Sequence, residues 1–404
     1  MKFQHHRSTP KVSILVSDLS KSGAGRWGGA VRTFLLARSI QNLGYEVEIL
    51  GFIFGDEPPD SIPKDLPFKT VPGKNYPGFL ASATQLLSQI EGDILYALRP
   101  KPTTFGLALL KKMQTQCRVI LDIDDWELSW HGGDDWKYQP SLKQFARDIL
   151  KPNGALRYPD APFYLKRMES MVSRADEITV HTEFLQKRFG GVYVPNGKDT
   201  SLFEPEKYDR ETSKKKYGLS GYRILMFPGA PRPYKGVEDV LVALDRLAWP
   251  DLRLAIVGGS PYDDYDRQLL SRWGRWIVKL PTCPVEQMPE VVAAADIIVV
   301  PQRDVPAARA QFPLKLTDAM AMAKPILATR VGDIPTIIED GGFLVDPSSP
   351  EQIAEQIQWI FEHLEDARER GSKARERCVE HYSINAMSEK LAPLLQSSKV
   401  SKLR

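Results

Sequence analysis

Two stretches of the sequence put charged side chains where anion chemistry is easiest. In RILMFPGAPRPYKGVEDVLVAL (223–244) an apolar run ends in a Pro and Gly turn carrying Arg232 and Lys235, and a helical pattern starts at about Val237. Two cations beside a helix N-terminus, at the carboxyl end of a strand, suit the neutralisation of a diphosphate. A solvated basic turn would give the same pattern. In QFPLKLTDAMAMAKPILAT (311–329) Pro313 suits the first turn of a helix whose core stripe is Leu316, Ala319, Met320 and Ala323. Lys315 and Asp318 then share another face, three residues apart, where Lys315 would meet phosphate and Asp318 would accept ribose hydroxyls. One exposed ion pair is the plain alternative. A third stretch, SDLSKSGAGRWGGAVRTFLLA (17–37), is a glycine-rich turn opening a helix. Its glycines let backbone amides approach a phosphate closely, although the spacing is not GxGxxG and a flexible loop would also account for them.

The elements that must hold these residues follow one pattern: a short apolar run, then a Gly, Pro or Asp, then a segment with helical spacing. Such runs read as buried parallel strands. They fall at 12–16, 47–53, 93–97, 118–123, 177–181 and 192–194, and again at 223–227, 252–257, 276–279, 296–300, 325–329 and 342–345. Helical patterns such as AVRTFLLARSIQNLG and VEDVLVALDRLAW lie between most of them, which argues for doubly wound α/β architecture. Two six-strand sets exceed one compact sheet, so a boundary is expected near PNGKDTSLF (195–203), with the charged stretch EKYDRETSKKKYG (206–218) as solvated linker. The expected division is a first domain at 1–198, interrupted by a Trp-, Gly-, Asp- and Pro-containing insertion at about 126–164, and a second at 199–382. A final helix over 383–404 returns to the first domain.

The totals suggest two or three ordinary globular domains: 404 residues, 42% hydrophobic, with 54 Lys and Arg against 51 Asp and Glu. The resulting net charge of +3 gives no reason to expect nucleic acid as a partner, so an anion site must be local. Cys117, Cys283 and Cys378 are odd in number and widely spaced, with no CxxC pair, which reads as reduced thiols in a cytoplasmic protein. No apolar stretch is long enough for a signal-peptide core or a membrane span. Leu beside Lys in GLALLKKMQTQCR (106–118) fits peripheral contact with the inner membrane face as well as an ordinary amphipathic helix. No group of residues has metal-ligand spacing, and no cofactor is expected.

Taken in order along almost the whole chain, GGAVR, PNGKDTSLF, PGAPRPYKG, LAIVGG, MPEVVAAADIIVVP, FPLKLTDAMAMAKPILAT, VGDIPTII and GFLVDP resemble the family 4 glycosyltransferases. The resemblance implies the GT-B fold, two facing Rossmann-like domains with mainly parallel sheets. It implies that Gly28 and Gly29 present amides to the donor diphosphate, that Lys235 binds phosphate, that the Phe312, Pro313 and Leu314 turn contacts the donor, and that Asp318 holds the ribose. Four positions depart from the family pattern. Its first acidic residue falls at Ala310, with Gln311 or Arg309 as stand-ins. Its phosphate-binding arginine falls at Ala230, with Arg232 two residues on. Its FGL glycine is Pro313, and its strand-end histidine is replaced by Asp124 and Asp125.

The implied activity is retaining transfer of a sugar from a UDP- or GDP-sugar to a glycan, lipid-linked or small-molecule acceptor, as in polysaccharide biosynthesis. Lys235 and Arg232 would stabilise the leaving phosphate, and Asp125 or Asp124 would orient or deprotonate the acceptor. Capping of the next segment is the structural alternative for the two aspartates. The substitutions at Ala310 and Ala230 keep a non-catalytic nucleotide-sugar binder in view, and a nucleotide-sugar epimerase is a further GT-B reading.

Overall fold

The computed structural model describes residues 9–20, 28–55, 66–260 and 263–396, with the side chains of 28–31 outside the description. Two compact units divide the chain, one formed by residues 1–195 together with 387–404 and the other by 196–386.

The first unit holds a sheet of seven parallel strands: β1 Lys11–Asp18, β2 Glu46–Ile53, β3 Phe68–Pro72, β4 Ile94–Leu98, β5 Arg118–Ile123, β6 Glu177–Val180 and β7 Val192–Tyr193, in spatial order β3-β2-β1-β4-β5-β6-β7. The sequence runs predict all of these but β3. Three of the five residues of FKTVP are half-buried, so it lacks the apolar run that marks its neighbours. Val12, Ile14 and Val16 of β1 pack with Ile49, Ile94 and Ile120 on one face, and helix Gly28–Asn42 covers them with Leu36, Ala37 and Ile40. Met387, Leu391, Leu394 and Leu395 of helix Ile384–Gln396 complete this cluster. Ser388 donates to the Ser39 carbonyl at 2.9 Å, and Arg118 donates to the Leu394 carbonyl.

The second unit holds six parallel strands: β8 Arg223–Pro228, β9 Leu252–Val257, β10 Ile277–Leu280, β11 Ile297–Val300, β12 Ile326–Thr329 and β13 Phe343–Val345, in order β10-β9-β8-β11-β12-β13. Both sheets therefore run outward from their first strand and then reverse, the Rossmann order. In such sheets ligands bind beyond the carboxyl ends of the strands flanking the reversal. The reversal lies between β1 and β4 in one unit and between β8 and β11 in the other.

Two expectations need correction. The stretch 206–218 is not linker: Asp209 caps helix Arg210–Lys216, accepting from the Thr212 amide, and Lys214 is buried against Asp296 (2.7 Å) and the Tyr222 carbonyl (2.9 Å). The stripe assigned to the helix after Pro313 is one residue too long, because helix Leu314–Ala321 ends before Ala323, which turns left-handed at φ 49°. The insertion at 126–164 contains no strand. It is built from short 3₁₀ turns, helix Leu142–Leu150 and the start of helix Pro162–Glu169.

Candidate functional site

At the reversal point of the second sheet, two loops are locked together. The loop after β8 turns at Gly229 (φ 132°), runs through the 3₁₀ turn Pro233–Lys235 and enters helix Val237–Leu247 at Gly236. Gly236 has φ 67°, and a Cβ there would meet the Pro301 carbonyl oxygen at 1.8 Å. Glycine is thus required both by backbone conformation and by the approach of the loop that follows β11. Arg303 bridges the same loops, its guanidinium donating to Asp239 at 2.7 and 3.0 Å and its amide to the Tyr234 carbonyl at 2.9 Å. The Tyr234 hydroxyl reaches Gln311 at 3.2 Å.

This frame holds an excess of positive charge. Lys235 donates to the Ala230 carbonyl at 3.1 Å and has no carboxylate partner among the described residues. Burial, then the repulsion of Lys315 and Arg232, pushes its pKa well below the usual lysine value. Lys315 is buried on helix Leu314–Ala321, 4.5 Å above the Phe227 ring, and burial brings it down to about 8 although Asp318 pulls the other way. Like charges crowded in a buried setting cost free energy that an incoming anion would recover. Phe312 is buried against Tyr382 with ring centroids 6.1 Å apart. Pro313 occupies the cap position and its carbonyl accepts from the Leu316 amide, so the turn before the helix is fixed by side-chain packing.

The spacing predicts Lys315 and Asp318 on a shared helix face. Both are buried, and the ion pair of Asp318 is with Lys198, which also lies 4.4 Å from the Phe203 ring. Lys198 comes from PNGKDTSLF, where nothing in the local sequence marks it as a partner for a residue 120 positions away. The stand-ins for the missing acid at Ala310 are both engaged: Arg309 forks onto Asp304 at 2.5 and 2.7 Å, and Gln311 meets Tyr234. Ala310 itself is fully buried.

The first unit gathers carboxylates at the ends of β4 and β5. Arg99, following β4, is held left-handed at φ 68°, a costly conformation for a side chain of this kind. There its guanidinium reaches Asp124 at 2.6 Å and Glu127 at 2.6 Å, while Lys101 also pairs with Glu127 at 3.0 Å. Burial alone would raise both acids, but Arg99 holds Asp124 below the normal carboxylate range, and Lys101 and Arg99 do the same for Glu127. Asp125 behaves oppositely. Burial, reinforced by Glu127 and Asp124 against the pull of Arg99, raises it to about 6. One of its oxygens accepts from the Trp130 indole at 3.1 Å, and the other is buried with no hydrogen-bond partner. Neither aspartate caps the following 3₁₀ turn, whose cap position belongs to Trp126. Arg99, Lys101 and Glu127 were not singled out by the sequence, where only the position of Arg99 at a strand's carboxyl end was a usable signal.

Gly28 and Gly29 begin helix Gly28–Asn42, while the rest of the glycine-rich turn, 21–27, lies outside the described residues. Four residues on, Arg32 is fully buried and forks onto Asp122 of β5 at 2.7 and 3.0 Å, with a third bond to the Val194 carbonyl at 2.9 Å. Thr179 donates to Asp122 at 2.7 Å and lies 2.8 Å from the Tyr96 hydroxyl. This network ties the helix to β4, β5 and β6. Among the described residues no cluster of His, Cys, Asp and Glu could hold a metal ion, and Cys117, Cys283 and Cys378 are unbridged.

Two parallel sheets in Rossmann order, the second carrying a cation-rich shelf at its reversal point, define a GT-B architecture. Residues 222–363, in the second unit, match the family model described as Glycosyl transferases group 1. The GDP-mannose-dependent alpha-(1-6)-phosphatidylinositol monomannoside mannosyltransferase of Mycolicibacterium smegmatis is 27% identical over 237 residues, 55% of this chain and 62% of the relative. The D-inositol 3-phosphate glycosyltransferase of Nocardioides sp. is 28% identical over 245 residues, 52% of each. The chain thus spans between half and two thirds of the length of these curated relatives. N-acetyl-alpha-D-glucosaminyl L-malate synthase of Bacillus anthracis is 28% identical over 309 residues, 75% of this chain and 74% of the relative. Among solved structures, Anabaena HepE in complex with UDP and glucose superimposes with a TM-score of 0.72 at 17% identity, covering 96% of this chain and 100% of that one.

Proposed function

We propose that the protein is a glycosyltransferase that moves a sugar from a nucleoside-diphosphate donor, a UDP- or GDP-sugar, to a glycan, lipid-linked or small-molecule acceptor, with retention at the transferred carbon. The observation that carries the reading is the group of Lys235, Lys315 and Arg232 at the reversal point of the second sheet, where Lys235 and Lys315 are depressed by burial and Arg232 adds to the repulsion on Lys235. In such a site a diphosphate restores the lysines' full charge, and the same cations stabilise the charge that builds on the leaving phosphate as the glycosidic bond breaks. No protein nucleophile is needed for a mechanism of this kind. In the first unit Asp125 is the group suited to accept a proton from an acceptor hydroxyl, since its raised pKa of about 6 and its unpaired oxygen match a base working near neutrality. The names of the curated relatives, among them a GDP-mannose-dependent mannosyltransferase, and the UDP bound to HepE support the donor class.

The test is a thermal-shift panel of nucleotide sugars against the native chain and Lys235→Ala. The expected result is stabilisation by one base and sugar combination that the variant loses; stabilisation by none, or equal stabilisation of both proteins, overturns the reading. A second reading, a nucleotide-sugar binder without turnover, is favoured by Ala310 and by the engagement of Arg309 and Gln311 with Asp304 and Tyr234. Binding in the panel with no transfer or hydrolysis would decide for it, and an inverted anomeric centre in the product would remove the retaining mechanism.

A further inference from the structure

Helix Leu142–Leu150 is built inside out. Ser141 caps it by accepting from the Gln144 amide at 3.2 Å, and at its far end the Lys151 amide donates to the Arg147 carbonyl at 3.0 Å. Its single buried residue is Asp148, held by the Tyr138 hydroxyl and the Gln144 amide group, each at 2.8 Å. The polar side therefore faces the protein. The apolar side faces outward: Leu142 is 91% exposed, Leu150 73%, Phe145 43% and Ile149 42%. At 3.6 residues per turn these four and Ala146 occupy one arc of roughly 140°. Lys143, Arg147 and Lys151 follow along one margin of that arc. Lys143 and Lys151 pair with no carboxylate among the described residues, and Arg147 comes only within 3.9 Å of Asp148. From Trp136 to Arg167 the sequence carries seven Lys and Arg against two Asp, Asp148 and Asp160, both buried, so every exposed charge on this segment is positive.

An exposed apolar arc is ordinarily covered, and its charged margin says by what. A second copy of the same face would set cations against cations in a two-fold contact. A neutral protein groove would leave them without partners. We propose that this helix lies on an anionic lipid surface, its apolar arc among the acyl chains and Lys143, Arg147 and Lys151 at the headgroups. Helix Leu107–Thr115, the segment whose Leu and Lys content suggested membrane contact in the sequence, is a poorer candidate. Its Lys111 and Lys112 are bound to the Leu87 carbonyl and to Asp176.

The full chain should co-sediment with phosphatidylcholine vesicles containing roughly a third phosphatidylglycerol, far more weakly with phosphatidylcholine alone, and less as salt is raised. Each of two triple variants alters only exposed side chains. Leu142→Gln with Phe145→Gln and Leu150→Gln should lower vesicle affinity at least tenfold. Lys143→Glu with Arg147→Glu and Lys151→Glu should lower it roughly a hundredfold or more on the anionic vesicles. Both should keep the native melting temperature and the nucleotide response of the thermal panel, which separates this proposal from the donor reading. It is overturned if the native chain ignores anionic vesicles, if the apolar triple variant binds them as well as the native chain, or if lipid-free sedimentation shows a dimer that this variant dissolves.

Discussion

If Lys315 is kept uncharged part of the time by burial and recharged by a diphosphate, binding must take up a proton, and affinity must fall as the solution becomes alkaline. The structure fixes the size of the effect. Lys315 ionises at about 8 in the free protein, with burial as the main cause. Against a diphosphate its value should return to the ordinary lysine range or above, because a close anion favours the charged form. Between about pH 7 and about pH 9.5 the free protein goes from mostly protonated to only a few per cent protonated at this site, which weakens binding roughly thirtyfold, about 2 kcal/mol. Lys235, depressed for the same reason, steepens the fall further. Titration calorimetry of the nucleoside diphosphate at pH 9, in two buffers of different ionisation enthalpy, should register about one proton or more taken up per ligand bound. Affinity that stays flat across the range, with no proton uptake, would refute the charge-frustrated shelf. The same displacement has a consequence for stability. In the unfolded chain Lys315 returns to about 10.5, so its cationic form burdens the native state fully below pH 8, and the burden fades as pH rises from 8 toward 10.5. Lys315→Met should therefore stabilise the ligand-free protein at neutral pH by up to roughly 3 kcal/mol, while abolishing diphosphate binding.

Three further outcomes follow from the geometry. Asp125→Asn should cut transfer by about 10²–10⁴-fold while leaving nucleotide binding unchanged, and the acidic limb near pH 6 in the native kcat/KM profile should disappear with it. Gly236→Ala places a methyl group against the Pro301 carbonyl in a left-handed conformation, a strain of at least ~1–2 kcal/mol. The melting temperature should drop and nucleotide stabilisation should be lost together, whereas a change in neither would contradict the locked-loop description. Arg32→Met strands Asp122 in the core and should cost about 3–5 kcal/mol in urea unfolding, most of which Arg32→Met combined with Asp122→Leu should restore.

The sheets were readable because central parallel strands are buried on both faces. Runs such as VSILV and LRLAIV have no reason to alternate, and they survive in the sequence as nearly pure apolar blocks. FKTVP sits at an edge, is half-buried, and carries no such mark. The cation-bearing segments were readable for a local reason: Arg232 and Lys235 follow the end of β8 within one short loop, and Lys315 sits in the first turn of the helix that Pro313 introduces. Partners were not. Lys198 with Asp318, Arg32 with Asp122, and Arg99 with Asp124 and Glu127 are joined across 120, 90 and 25 to 28 residues, and only the folded sheets bring them together. The outward face of helix Leu142–Leu150 was hidden differently. LKQFARDIL has the spacing of an ordinary amphipathic helix, and periodicity does not say which side the protein keeps.

The last helix sets the timetable for the first sheet. Met387, Leu391, Leu394 and Leu395 fill a cluster whose other members lie before residue 195. The half that leaves the ribosome earliest must therefore wait, partly unfilled, until synthesis has passed through the whole second unit. A shortened chain ending at residue 386 would keep both sheets in its sequence yet leave the older one with an open seam.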